Sequence, residues 1–322
     1  RVLPIPIESV EARIFHVLHV AGIAYCGDRW TDLRRWLNEN DEAQLVPSVA
    51  ATRWDQRLLY RIFDAWLSLL RKRNWDDLDR IGQLILTLRE EQKLYEATYL
   101  EGSTSLTGAS LALRLVALYH WAKATERLAE YMLQGEPAQI ATELDQHFEA
   151  ACKSALSAQD YQLEVILRWL HAASRIMVNA SIWWTAEGAK SRTTSFVKLV
   201  TQSKGMFELL PPQQAAIQEQ GLLNAASQAV VIDMPTSGGK TALAQFRMLQ
   251  ALNQFEQDNG WVAYVAPTRA LVSQITRRLR EDFTQIGIKV EPLTGAVEID
   301  SFEDDLLQSS SAFQVLVLTP EK

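Results

Sequence analysis

The stretch MPTSGGKT, Met234 to Thr241, follows the aliphatic run AVVIDM, Ala229 to Met234, and precedes a run of helix formers. That succession decides the fold of this half of the chain. A triphosphate needs several converging backbone N–H groups and a cation. A strand that turns sharply into a helix provides a site for it, because the helix N-terminus carries unpaired N–H groups and a partial positive charge. Here Pro235, Thr236 and Ser237 form the turn, and Gly238 and Gly239 let the backbone wrap closely. Lys240 is placed to reach the β- and γ-phosphates of ATP, and the Thr241 hydroxyl to ligate Mg2+. The strict pattern has glycine six positions before the lysine, where this chain has Met234. The strand before the loop and the helix after it therefore carry the assignment.

Outward from the loop, strands and helices alternate. AVVIDM reads as a buried strand, and a helix is expected from Gly239 to about Phe255. WVAYVAP, from Trp261, is a second buried strand, followed by a helix from Thr268 to Ile286. IKVEPLT, from Ile288, and FQVLVLTP, from Phe313, are the third and fourth strands. Near-continuous apolar strands alternating with helices imply a parallel sheet covered on both faces.

The first part of the chain has another rhythm. Up to about residue 190 glycine and proline are sparse and apolar residues recur at helical spacing, which predicts seven or so helices. In RWDQRLLYRIFDAWLSLLRKR, Leu58, Leu59, Ile62, Phe63, Trp66, Leu69 and Leu70 form one stripe. Arg71, Lys72 and Arg73 then suit the helix C-terminus, where the dipole favours cations. A longer helix ends at Gly135, with Pro137 beyond. RWTDLRRWL and NWDDLDRIG echo one another, and the reading favoured is tryptophan packing at helix starts over a repeat array. Around AEGAKSRTTS, 186–195, the hydrophobic pattern lapses. The expected organisation is an all-helical domain 1–190, a linker 191–204 and an α/β P-loop domain 205–322.

Composition sets bounds. No apolar run is long enough to span a bilayer, and no basic-then-apolar signal segment opens the chain, so a cytoplasmic protein without a membrane role is expected. Cys26 and Cys152 form no CxxC pair and read as free thiols. The histidines lack metal-ligand spacing. The net charge of −7 means that any nucleic-acid surface must be local. The chain opens on Arg1 and stops at Lys322 directly after an apolar run, so it reads as a piece of a longer protein.

The loop resembles motif I of superfamily 2 helicases, especially the Ski-like and DEAD/DEAH branches, which favour PT-x-x-GKT. The resemblance continues over roughly 205–322, in order and spacing. LLPPQQAAI, from Leu209, resembles the upstream element in which a glutamine reads adenine. This implies that Gln213 binds the base, its amide offering a donor and an acceptor together. AYVAPTRALVSQ resembles motif Ia, LTG the short element after the third strand, and VLVLTPEK motif Ib. The fold implied is a RecA-like lobe, and the nucleic-acid contacts implied are Pro267, Thr268, Arg269, Thr294, Gly295, Thr319 and Pro320. Several of these stand at strand C-terminal ends, where open α/β sheets bind ligands. Hydroxyls, helix N-terminal N–H groups and Arg269 there can hold phosphates without reading bases.

The resemblance also implies parts that these residues do not contain: a DExD/H box and a second RecA-like lobe with its arginine finger. Phosphoryl transfer needs both. The expectation is therefore the N-terminal part of an ATP-dependent helicase, inert as an ATPase by itself, with an incomplete first lobe. DNA is favoured over RNA as the track, a protein partner is expected on the helical domain, and family context suggests bacterial anti-phage defence. The alternative is a nucleotide-gated scaffold whose helical domain is the working part.

Overall fold

The structure, a computed structural model, describes residues 9–40, 53–100, 105–187, 191–227, 229–235, 238–257, 260–293 and 314–321, with backbone only at 94–100 and 105–107. The chain divides into two compact units, 1–184 with 205–208, and 185–204 with 209–322.

The first unit is helical. Its helices are α1 (Val10–Cys26), α2 (Trp30–Glu39), α3 (Trp54–Arg71), α4 (Trp75–Leu100), α5 (Ser105–Gln134), α6 (Ile140–Ser157) and α7 (Tyr161–Ala180), with a 3-10 turn Ile182–Ala186 after them. Local chemistry sets several ends. The Ser9 hydroxyl accepts from the Ala12 N–H at 3.0 Å and opens α1. The Asp160 carboxylate does the same for Leu163 and opens α7. Each satisfies one N–H that the helix itself leaves unpaired. Successive helices pack on one another, α4 on α5, α5 on α6 and α6 on α7, while α1 packs on α7.

α3 is the centre of this unit. All seven residues of its expected stripe are buried, and so are Asp55, Asp64, Ser68 and Arg71. A helix buried nearly all round is a core helix, here enclosed by α2, α4 and α5. Trp66 of α3 meets Trp121 of α5 with ring centroids 6.4 Å apart, both fully buried. Truncating such a ring to alanine costs about 3–5 kcal/mol. The basic close of α3 differs from expectation. The chain turns left-handed at Lys72 (φ 41°, ψ 48°), and that side chain enters the interior.

The second unit begins with a correction. Residues 191–204, expected as a linker, form α8 (Ser191–Lys204). Phe196, Val197 and Val200 give it a buried stripe. Phe196 meets Phe246 and Phe283 edge-on at 5.4 and 5.8 Å. The Asn253 amide donates to the Thr193 hydroxyl at 3.0 Å. The polar run before Phe196 hid a short stripe that is completed by partners far along the chain. After α8 come α9 (Pro211–Gln214, continued by a π turn Ala215–Glu219), α10 (Lys240–Gln254), β1 (Val262–Val265), α11 (Arg269–Phe283), β2 (Val290–Pro292) and β3 (Val315–Leu318).

The strands form a parallel sheet in the order β1-β3-β2, with Val262 and Val290 both opposite Val315. Only β3 is covered as expected, since Val315, Leu316 and Val317 are at most 1% exposed. β1 is an edge of the described sheet and alternates half-buried with exposed residues. AVVIDM departs further. Residues 229–234 make no ladder with any described residue, and Val231 is 94% exposed. A strand exists only by pairing. Among the described residues nothing pairs with this one, so its aliphatic composition alone does not place it in the sheet.

Candidate nucleotide-binding site

The loop before α10 is built around Gly239. Its φ is +78°, a left-handed conformation that side chains rarely adopt. A Cβ there would also lie 2.3 Å from the Gln213 amide nitrogen. Glycine is thus required twice over. The Gly238 N–H donates to the Pro235 carbonyl at 3.0 Å and tightens the turn. Lys240 is the first residue of α10, is exposed, and donates from Nζ to the Met234 carbonyl at 2.7 Å. The ammonium is therefore folded over the loop's own backbone, at the helix end where the dipole disfavours a cation. Thr241 opens onto a cleft of ≈ 230 Å³ between α10, β1 and α11, whose polar walls are Tyr264, Gln274 and Arg278. Thr236 and Ser237 lie outside the described residues.

Gln213 is 2% exposed. Its amide oxygen accepts from the Leu210 N–H at 2.8 Å, and its amide nitrogen donates to the Gly239 carbonyl at 3.2 Å. The two atoms expected to read adenine each make one bond within the protein, which shapes α9 and holds the loop. Gln214 braces the same turn by donating to the Leu209 carbonyl at 3.0 Å.

The strand ends come together as the sequence implies. β1 and β3 are adjacent and parallel, and the Ala266 N–H donates to the Leu318 carbonyl at 2.8 Å. Pro267, Thr268 and Arg269 therefore share one sheet edge with Thr319 and Pro320. Pro267, Thr268, Arg269 and Pro320 are exposed. Two hydroxyls are already engaged. That of Thr268 accepts from the Leu271 N–H at 3.3 Å and caps α11. Thr319 is buried, and its hydroxyl holds the exposed Glu321 carboxyl below its ordinary range. Thr294 and Gly295 lie outside the described residues.

Sequence reading missed Arg247. From α10 its guanidinium donates to the carbonyls of Leu222, Asn224 and Ser227 at 3.2, 3.0 and 2.8 Å, clamping the segment that leads into the loop. A lone arginine on a helix gives no such signal, because its acceptors are backbone atoms. Also missed was Asp282, buried on α11, which accepts from Gln245 of α10 at 2.7 Å and pairs with Lys204 of α8. Asp282 thereby ties α10, α11 and α8 together.

The described residues thus hold a parallel sheet and a glycine loop that opens a helix. Among known proteins, residues 211–322 match the DEAD/DEAH box helicase family. The chain is 29% identical over 126 residues to the ATP-dependent DNA helicase Hel308 of Pyrococcus horikoshii, covering 39% of this chain and 16% of that protein. It is 28% identical over 121 residues to the Hachiman protein HamB of Bacillus cereus, covering 38% of this chain and 10% of that protein. It is 32% identical over 102 residues to activating signal cointegrator 1 complex subunit 3 of Gallus gallus, covering 30% and 4% respectively. The similarity thus spans only a small share of each relative.

Proposed function

We propose that this chain belongs to an ATP-dependent nucleic-acid helicase or translocase, to which it contributes a helical unit and a nucleotide-binding motor segment. The observation that carries the reading is the loop Gly238–Thr241, with its left-handed glycine and with Lys240 held at a helix N-terminus by a single backbone carbonyl. The residues fit MgATP. The free N–H groups of the first turn of α10 and the Lys240 ammonium would take the phosphates in place of the Met234 carbonyl. The Thr241 hydroxyl would take the metal. Bound MgATP supplies the phosphoryl group whose hydrolysis drives the motor. Gln213 serves the site by fixing Gly239. A phosphate backbone would lie along the edge formed by Pro267, Thr268, Arg269, Thr319 and Pro320, with Thr294 and Gly295. Arg269 would then exchange the nearby Glu321 charge for phosphate.

Resemblance to a DNA helicase supports DNA over RNA as the track. Similarity to a Hachiman protein supports a role in bacterial anti-phage defence, in the cytoplasm. Among the described residues no helix is long and apolar enough to cross a membrane. The helical unit would dock a protein partner. The test is ATP hydrolysis by the full-length protein with single-stranded DNA, with RNA and with neither. Stimulation by DNA is expected. Hydrolysis indifferent to both nucleic acids would instead favour a nucleotide-gated scaffold.

A further inference from the structure

We propose that the helical unit holds a docking groove between α4 and α5, over the start of α3, and that its occupant is an amphipathic helix of a protein partner with bulky apolar anchors and an acidic residue at one end. This rests on the reading that the helical unit docks a protein partner.

The sequence pattern makes the groove. Ala112, Leu115, Val116, Tyr119 and Lys123 follow the spacing of one helix face, a stripe of about 16 Å along α5. Leu88, Arg89 and Gln92 mark the facing stripe of α4. The two stripes, with Trp54 and Leu58 of α3, bound a cavity of ≈ 240 Å³. Protein interiors leave few voids larger than a water molecule. This one lies beside the small side chain of Ala112 and opens outward, where Val116 and Tyr119 are 43% and 46% exposed. Its floor is core, and its lip is apolar surface in contact with solvent.

Size and composition favour an inserted side chain. Pockets that take whole small molecules measure about 300–1,000 Å³. This cavity is smaller, and the apolar surface continues beyond it along the axis of α5. That is the layout of helix-in-groove recognition, in which a partner helix lays down anchors one turn apart. Tryptophan, tyrosine and arginine are the residue types that concentrate binding energy at interfaces, and Trp54, Tyr119 and Arg89 all line the cavity.

The charge at one end sets the sign of the partner. Among the described residues that line the cavity, the charged ones are Arg89 and Lys123. Both are paired with Glu126. Arg89 donates to its two carboxylate oxygens at 2.9 and 2.8 Å, and Lys123 to one of them at 2.6 Å. Two cations thus share one carboxylate. Glu126 is buried, while both cationic side chains reach the surface. A surplus positive charge therefore stands at the groove of a chain whose net charge is −7. An arriving carboxylate completes the pairing, and a basic peptide is repelled.

The experiment pans a displayed library of random 16-residue peptides against the full-length protein and measures the best binder by fluorescence anisotropy. Recovered peptides should share bulky apolar residues at helical spacing with an Asp or Glu beyond them. Ala112→Phe fills the cavity from its own wall. It should weaken binding by about tenfold or more, as when a buried anchor loses its pocket, with a melting temperature no lower than wild type. Tyr119→Asp, at the exposed lip, should weaken binding as much, and it decides the matter even if Ala112→Phe does not fold. Lys123→Gln leaves Glu126 paired with Arg89. It should weaken the acidic peptide about threefold and leave an analogue with Gln in place of the acidic residue unchanged. Peptides that bind both groove variants as they bind wild type overturn the groove, but leave standing the reading that the helical unit docks a partner. Recovery of basic peptides only also overturns the proposal. Recovery of no peptide refutes the groove and the docking reading together. If the protein then sediments as a dimer that Tyr119→Asp dissociates, the occupant is a second copy of the chain, and the proposed partner is likewise overturned.

Discussion

Two lysines, one in each unit, mark the difference between the halves of this molecule. Lys72 ends α3, is turned inward, and is fully buried against Glu208 and the Tyr25 hydroxyl. Lys240 begins α10, is exposed, and donates to the Met234 carbonyl in the loop. The first cation is satisfied by the fold. The second sits where the helix dipole opposes it, at the end that attracts anions. A charge fully neutralised within the fold is structural. A charge held against the local field and left open to solvent is arranged for something that arrives. Elsewhere in the second unit Pro267, Thr268 and Arg269 are likewise open at a sheet edge.

The same substitution made at both lysines should break the symmetry. Lys240→Met in the full-length protein should lower ATP turnover by roughly 10²–10³-fold, the usual loss when a cation or donor aimed at developing charge is removed. Its melting temperature should stay close to wild type, because the side chain packs on nothing. Turnover at the wild-type rate would remove Lys240 from the site.

Gln213→Ala comes next in size. It leaves the Gly239 carbonyl and the Leu210 N–H without their partner, a loss of about 1–3 kcal/mol in nucleotide binding. Because both amide atoms already make bonds within the protein, ATP and GTP should weaken alike. A loss confined to ATP, read by competition between the two nucleotides, would mean that the amide leaves the loop to read adenine. Gln214→Ala is the control.

At Lys72 the methionine change should be tolerated. One of two cations is removed from a single carboxylate, and Arg34 keeps Glu208 paired. Removing one partner of a simple buried pair costs about 3–5 kcal/mol, because the other charge is left uncompensated, and that cost is avoided here because Arg34 still pairs with Glu208. Chemical denaturation should show equal or greater stability, and marked destabilisation would mean that the Lys72–Glu208 pair itself holds the unit.

The smallest effect is a pH slope. Burial, with Arg34 acting in the same direction, pulls the Lys72 pKa down to about 8 despite Glu208. The sign follows from proton counting. Below about 8 the lysine is charged folded and unfolded, and the folded state bears the cost of burying it. Between about 8 and the ordinary lysine pKa, the unfolded chain holds the proton that the folded chain has shed, so stability from this group rises with pH. Melting curves of wild type at pH 7 and 9.5 should show this gain against the background, and Lys72→Met should lose it.

By itself the sequence determined whatever depends on near neighbours. The turn Gly238–Thr241 opening a helix, the buried stripe of α3 and the parallel strands β1 to β3 all rest on spacing along one element, and the structure shows each of them. So do the resemblances over 211–322, which match the DEAD/DEAH box helicase family. Only the tertiary structure decided where polar groups find partners distant in the chain. The polar run 191–195 reads as a linker until Phe246, Phe283 and Asn253 complete α8. Lys72 reads as a helix-end cation until Glu208 enters from 136 positions later in the sequence. AVVIDM reads as a strand because aliphatic composition suits burial, but a ladder needs a second strand, and its identity is not written locally. The physical reason is common to all three. Propensity and periodicity act within a few residues, whereas a buried charge, a capped stripe or a sheet edge is satisfied only by groups that folding brings together.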